Sequence, residues 1–371
     1  MYKSLTQFFI IILTLLFCRL ATAEPIKIGI AGPFSGPYAG MGDQQWLGAN
    51  QAIEDINAQG GINGNKLMLV IADDDCNPEK AEKIAHHFAM QGDIKAVIGH
   101  NCSSTSLAAA KIYAAHNILM ITPASTAPAL TEQGYHNIFR TCGKNDTQGE
   151  FAANFIHDHF DAKKVIIIHD NTLYGKGLAD SVQATLTKLG TKVILNQNFQ
   201  RDNSDYLSLA KTVADMKPDA VFFGGLFTDA GEFLKLLHEI NNHIPFIAGD
   251  GIASPDFVKA AGGPNITKGV YMTFFSDPNS FTQAKNVVKK FEKKRIKPTG
   301  YMLNAYAATQ AVAQAIKETS LQKEISMDKW LHENKVDSVI GTLEWDKNGD
   351  LKQAPFSVYQ WDDEGGYEVY Q

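Results

Sequence analysis

At 371 residues, 44% hydrophobic and 20% charged, the chain is long enough to bury two or three domain-sized cores. Its formal net charge of −6 offers no basic surplus for nucleic acid and no polybasic segment for a membrane surface.

The first residues read as an export signal. Lys3 supplies a positive start, 8–17 is a nearly unbroken apolar run, and Ala21-Thr22-Ala23 gives a small-residue cleavage pattern. The run is shorter than the ~20 residues that a membrane-spanning helix needs. Bulky Phe17 stands where a lipoprotein signal wants a small residue, so Cys18 is not read as lipid-modified. The mature chain is expected to start at Glu24.

Short β-rich runs then alternate with helical patterns. The runs fall at 26–30, 67–72, 96–99, 118–122, 165–169, 193–195, 220–223 and 246–248. Several are continuously apolar, as strands are when helices cover both faces of their sheet. Between the second and third run, 78–90 carries Ala81, Ile84, Ala85 and Phe88 at helical spacing behind an Asn77-Pro78 start. The alternation predicts doubly wound parallel sheets. It outlasts a single six-stranded sheet and breaks at Gly143-Lys144-Asn145-Asp146, before a helix at 147–159 and a second series over 164–250. Helices at 282–295 and 300–318 follow. A late hairpin-like pair, 341–345 and 356–361, flanks the turn at 346–350. The expected architecture is α/β: two doubly wound parallel-sheet lobes joined by a multi-strand hinge. The signal would occupy 1–23, one lobe 24–144 plus 275–350, and the other 145–274 plus 351–371.

Without Cys18, the cysteines are Cys76, Cys102 and Cys142. Cys76 and Cys102 each follow the end of a predicted strand, which puts both on one edge of a parallel sheet. In an oxidising compartment they are expected to pair, contributing roughly 3 kcal/mol in the chain-entropy model. Cys142 is expected to stay reduced and buried.

Catalytic patterns fail. There is no G-x-S-x-G elbow or Walker loop, and Gly175-Lys176-Gly177-Leu178-Ala179-Asp180 breaks a dinucleotide fingerprint at its last position. His238-Glu239 reaches His243 one residue too late for a zinc motif, and His157 and His159 diverge on a helix. Asp346–Asp350 lacks the glycine placement and closing glutamate of a calcium loop, and Asp73-Asp74-Asp75 reads as a solvated strand end. No catalysis, cofactor or metal is expected.

What is left is polar groups at strand ends. Gly99-His100-Asn101-Cys102-Ser103-Ser104-Thr105 leaves a strand and opens a helix, so free backbone N–H groups and the Ser103 hydroxyl suit an anion. Thr122-Pro123-Ala124-Ser125-Thr126 ends the next strand with a second hydroxyl cluster. In the second half, Tyr174 and Asp250 follow strands in the same way. An acid facing an anion-binding wall matches a zwitterion such as an α-amino acid.

These segments resemble the Leu/Ile/Val-binding proteins of branched-chain amino-acid ABC transporters, in the type I periplasmic binding protein family. The resemblance is carried by GPFSGPYAGMGDQQWLGANQAIEDINAQGGINGNKL (32–67), VIGHNCSS (97–104), LMITPASTAPALTEQGY (119–135), QGEFAANFI (148–156), HDNTLYGKGLA (169–179) and GTLEWDKNGDLK (341–352). It implies a periplasmic protein, expected to be a monomer, that closes on a neutral, branched-chain L-amino acid and docks on a membrane permease. An amino-acid-sensing receptor domain of the same fold is the alternative. The ligand carboxylate would go to Ser103, Thr126 and the Ala124 backbone. The ammonium would go to Asp250 and that same backbone, with Tyr174 closing from the second lobe and Ser125 and Cys102 completing the walls. The family disulfide falls on Cys76 and Cys102. Departures gather at the side-chain pocket. Met41 and Leu226 stand where the best-known members have tyrosines, Asn101 replaces a leucine, Tyr301 a phenylalanine, and Asp250 is one methylene shorter than the usual glutamate.

Overall fold

The computed structural model describes residues 24–199, 206–240, 243–275, 281–322 and 324–371, so the export signal expected at 1–23 lies outside the described residues. Two sheets dominate. The first contains β1 (Ile26–Gly32), β2 (Leu67–Asp73), β3 (Ala96–Gly99), β4 (Leu119–Thr122) and β5 (Ile138–Arg140), all parallel, in the order β2-β1-β3-β4-β5. The second contains β6 (Lys164–His169), β7 (Lys192–Asn198), β8 (Ala220–Gly224), β9 (Phe246–Ala248) and β10 (Tyr271–Phe275), again parallel. Its five parallel strands run β7-β6-β8-β9-β10, the same winding as in the first sheet.

The apolar runs become central strands because their alternate side chains enter different cores. Ile98 and Ile121 pack with Leu303, Ala307 and Ala311 of helix Met302–Leu321 on one face of the first sheet. Val97 and Met120 point to the opposite face, against Ala81, Ala85 and Phe88 of helix Pro78–Gln91 and Ala109 and Tyr113 of helix Ser103–Ala115. Both faces being covered, neither leaves room for polar alternation. The same logic holds in the second sheet, where Val165–Ile168 and Ala220–Phe223 are fully buried.

The chain crosses between the sheets three times: after β5, after β10, and again after β11 (Val336–Ser338) and β12 (Gly341–Leu343), which pair only with each other. The last crossing corrects the expected late hairpin. β13 (Phe356–Trp361) does not pair with 341–345; it runs antiparallel to β10 on one side and to β14 (Tyr367–Val369) on the other. Two anchors pull the flanks of the turn apart. Trp345 packs edge-on against Phe139 and donates its indole N–H to the Arg140 carbonyl at 2.8 Å, in the first sheet. Trp361 packs against Phe257 and Tyr367 beside the second sheet. The turn itself is closed by a Trp345–Leu351 bridge and by the Asp346 carboxylate, which accepts from the Asn348 and Asp350 N–H groups. Asp350 is committed elsewhere, in a buried ion pair with Arg140 at 2.7 Å.

Cys76 and Cys102 form a disulfide with a Cα–Cα distance of 5.6 Å, at the carboxyl ends of β2 and β3. Cys142 is a buried free thiol, and burial pushes its pKa up to about 12. Opening the bridge by Cys76→Ser is expected to lower the unfolding free energy by roughly 3 kcal/mol, because the reduced chain regains the loop entropy the bridge removes. A chemical-denaturation curve for the variant, matched to peptide mapping of the wild type without reductant, checks this.

Candidate functional site

In a sheet of order 2-1-3-4-5, the chain leaves strand 1 in one direction and strand 3 in the other. A crevice opens at their carboxyl ends, where the adjoining loops diverge. Both sheets have such a point, between β1 and β3 and between β6 and β8, and the two crevices face each other across one cleft. The segments that follow the strands of the first sheet deliver Met41 after β1, Asn101, Cys102 and Ser103 after β3, and Ala124 after β4. Those that follow the strands of the second deliver Thr172 and Tyr174 after β6, Leu226 after β8, and Asp250 and Gly251 after β9. Tyr301 closes one end from the start of helix Met302–Leu321. Together they line a cavity of about 590 Å³, a volume that includes the solvent at its mouth.

The first wall presents hydrogen-bond donors. Helix Ser103–Ala115 begins after Cys102 with no side-chain cap, so its first N–H groups and the positive end of its dipole are turned toward the cavity mouth. The Ser103 hydroxyl accepts the Ala127 N–H at 3.3 Å, which leaves its own proton to donate. Thr126 is fully buried, and its hydroxyl has no hydrogen-bond partner among the described residues. Ser125 is turned inward: its hydroxyl meets the Asn101 carbonyl at 2.9 Å and the Ser106 hydroxyl at 2.7 Å.

The second wall carries the opposite sign. Asp250 is 3% exposed, and no ion pair reaches it among the described residues. The Tyr174 hydroxyl donates to its Oδ1 at 2.9 Å and accepts the Gly251 N–H at the same distance. That approach explains the glycine: a Cβ at 251 would run into the Gly225 carbonyl and the Tyr174 hydroxyl. Burial raises the Asp250 pKa to about 6, against the lowering pull of hydrogen bonds from Gln148 and Tyr174. The lobes also touch directly beside the cavity, where the Gln44 amide donates to the Ala253 carbonyl at 3.1 Å.

Of the residues singled out from sequence, Met41, Asn101, Cys102, Ser103, Ala124, Tyr174, Leu226, Asp250 and Tyr301 line this one cavity. Ser125 and Thr126 lie behind its wall. Tyr38, Cys76, Ser104, Thr172 and Gly251 also line it and were not singled out as ligand contacts. Ser104 and Gly251 adjoin residues that were read, and Thr172 is the cap of the helix carrying Tyr174. Tyr38 carries no sequence signal of its own beyond standing one helical turn before Met41.

The two facing sheets, the triple crossing and the charge-complementary cleft define a two-lobed solute-binding architecture. The chain belongs to the periplasmic binding protein family, whose model matches residues 25–366. An amino acid binding protein of Pseudomonas aeruginosa is 42% identical to it, with 92% of this chain and 91% of the relative aligned. A Leu/Ile/Val-binding protein of Escherichia coli is 37% identical over 94% of each chain. Among solved structures, a substrate-binding protein of Desulfitobacterium hafniense in complex with Leu is 28% identical, with 94% of this chain and all of that one covered, at a TM-score of 0.78. A leucine-binding protein of Thermotoga maritima shares the fold at a TM-score of 0.85, covering 93% and 98% of the two chains at 24% identity.

The buried acid carries a pH signature. A carboxyl whose pKa is raised on folding contributes its stability below its unfolded value, near 3.8, and loses it as pH climbs through about 6. In the ligand-free protein, Asp250→Asn is therefore expected to be the more stable form at pH 7, by up to about 3 kcal/mol. That margin should shrink toward zero by pH 4. Melting temperatures of wild type and variant across this range check the sign.

Proposed function

We propose that this chain is an exported solute-binding protein that captures a neutral L-α-amino acid of branched-chain size and delivers it to an ABC transporter permease, without catalysing a reaction. The observation that carries the reading is the pairing of opposite charges across one cavity. A helix N-terminus and the Ser103 hydroxyl stand on one lobe, and the Asp250 carboxylate stands on the other.

The ligand's carboxylate would take the N–H groups at Ser103 and Ser104, the Ser103 hydroxyl and the Ala124 backbone, with Thr126 behind that wall. Its ammonium would take Asp250, whose charge is then compensated rather than left buried alone. Hydrogen bonds to charged groups contribute about 1.5–3 kcal/mol each, enough for tight binding once the walls are already shaped. The relatives' names, Leu/Ile/Val-binding and amino acid binding, support this class of ligand and the transport role. The export signal at 1–23 and a mature start at Glu24 belong to the same reading. Among the described residues no helix is long and apolar enough to cross a membrane.

Hinge closure around a ligand is the general behaviour of periplasmic binding proteins, and a ligand favours closure only by its differential affinity for the closed state. Here that difference would come from Asp250 and Tyr174, which an open form would withdraw from the Ser103 wall. The permease would then read the closed arrangement of the lobes.

Asp250→Ala is expected to weaken amino-acid binding by at least about 100-fold, the loss of one charged partner in a desolvated site. Titration calorimetry with L-leucine, L-isoleucine and L-valine on wild type and variant checks it; near-equal affinities would contradict the proposed role of Asp250.

A further inference from the structure

The side-chain end of the cavity is not uniformly apolar. Met41 and Leu226 are, but Asn101 and Tyr301 stand with them, each nine-tenths or more buried. A chain of hydrogen bonds fixes which way the Asn101 amide faces. The Gln45 amide nitrogen donates to two backbone carbonyls, those of Ala31 and Ile98, both at 3.0 Å, so the Gln45 oxygen must face the other way. The Asn101 nitrogen donates to that oxygen at 3.2 Å and approaches the Met41 carbonyl at 3.4 Å. Both of its neighbours are acceptors, so turning the amide over would set oxygen against oxygen. The Asn101 Oδ1 is thereby held as an acceptor with no partner among the described residues, and the Tyr301 hydroxyl has none either.

Resting on the amino-acid reading above, we infer that the cleft selects a side chain carrying a neutral hydrogen-bond donor, a hydroxyl or a carboxamide, over the aliphatic side chain of the same shape. Asn101 and Tyr301 are its specificity-determining residues. A purely aliphatic side chain closes the cavity over a bare carbonyl oxygen and a bare hydroxyl, and an unpaired polar group in a closed site disfavours the complex. A hydroxyl or amide N–H meets the Asn101 oxygen, and Tyr301 can donate or accept as the ligand requires. Discrimination of this kind exceeds what a methylene more or less can give, because the wrong ligand leaves the site's own groups unpaired. A cationic side chain does not fit the same description: among the described residues lining the cavity, Asp250 is the only acid, and the ligand's ammonium takes it.

The test uses two isosteric pairs, L-threonine against L-valine and L-asparagine against L-leucine, in titration calorimetry on the wild type, Asn101→Leu and Tyr301→Phe. In the wild type the polar member of at least one pair is expected to bind at least about tenfold more tightly than its isostere. Asn101→Leu should reverse that order, and Tyr301→Phe should reduce the preference several-fold. If Asn101→Leu does not fold, Tyr301→Phe is read alone, and an unchanged preference in it counts against the inference. Valine and leucine binding as tightly as their polar isosteres in the wild type would overturn it while leaving the amino-acid reading intact. So would an equal weakening of all four ligands by Asn101→Leu, which would make Asn101 a partner of the common backbone. If none of the four binds the wild type, the amino-acid reading falls as well.

Discussion

The structure turns on a carboxylate that has been taken out of water and given no counter-ion. Asp250 is buried, its pKa is pushed up to about 6, and its described partners are uncharged donors. A bare acid in that position disfavours the closed protein unless something positive arrives. Across the cavity stand the opposite requirements: N–H groups at the start of helix Ser103–Ala115 and hydroxyls with protons to give. Neither wall is satisfied by the other: among the described residues the Asp250 carboxylate accepts from Tyr174 on its own lobe. A zwitterion satisfies both.

The fold makes this meeting possible by using one winding twice. Each sheet runs 2-1-3-4-5, so each has its crevice at the carboxyl ends of its first and third strands, and the crossings set the two crevices face to face. The loops that line the cleft are braced from behind. Arg140 donates to the Ser125 and Ala127 carbonyls at 2.7 and 3.1 Å, holding the segment that carries Thr126, while Asp350 neutralises its charge. Asp74, buried beneath the β2 end, meets His100 at 2.6 Å, and Thr122 donates to the His100 carbonyl. Such a layer keeps the ligand-facing groups oriented before the ligand arrives, which lowers the ordering cost of binding.

Much of this was legible in the sequence. The continuously apolar runs, VIII in β6 and AVFF in β8, became central strands because helices cover both faces of their sheet. The strand-end placement of Cys76 and Cys102 gave their pairing, and that of Ser103, Ala124, Tyr174 and Asp250 gave residues that share the cavity. What escaped depends on distant partners. β10 was not read as a strand, and β13 was read into a hairpin, because their pairing with each other joins residues some 85 apart. No local period encodes such a join. The inward turn of Ser125 is a rotamer choice set by Asn101 and Ser106, and a run of hydroxyl residues after a strand looks the same whichever of them faces the ligand. Asn101 could be seen in sequence only as a polar residue in an apolar place; its orientation needed Gln45, a helix away.

The central claim is that both charges of the ligand are required, and stripping them one at a time tests it most directly. The purified protein would be melted with a tightly binding free L-amino acid, with its N-acetyl derivative and with its carboxamide, each at the same large excess. A ligand that binds only the folded state stabilises it by an amount that grows with the logarithm of one plus its free concentration over its dissociation constant, and so raises the melting temperature. The account predicts a clear rise for the free amino acid and none for either derivative. A rise of equal size with the N-acetyl compound, which has no ammonium to offer Asp250, would contradict it.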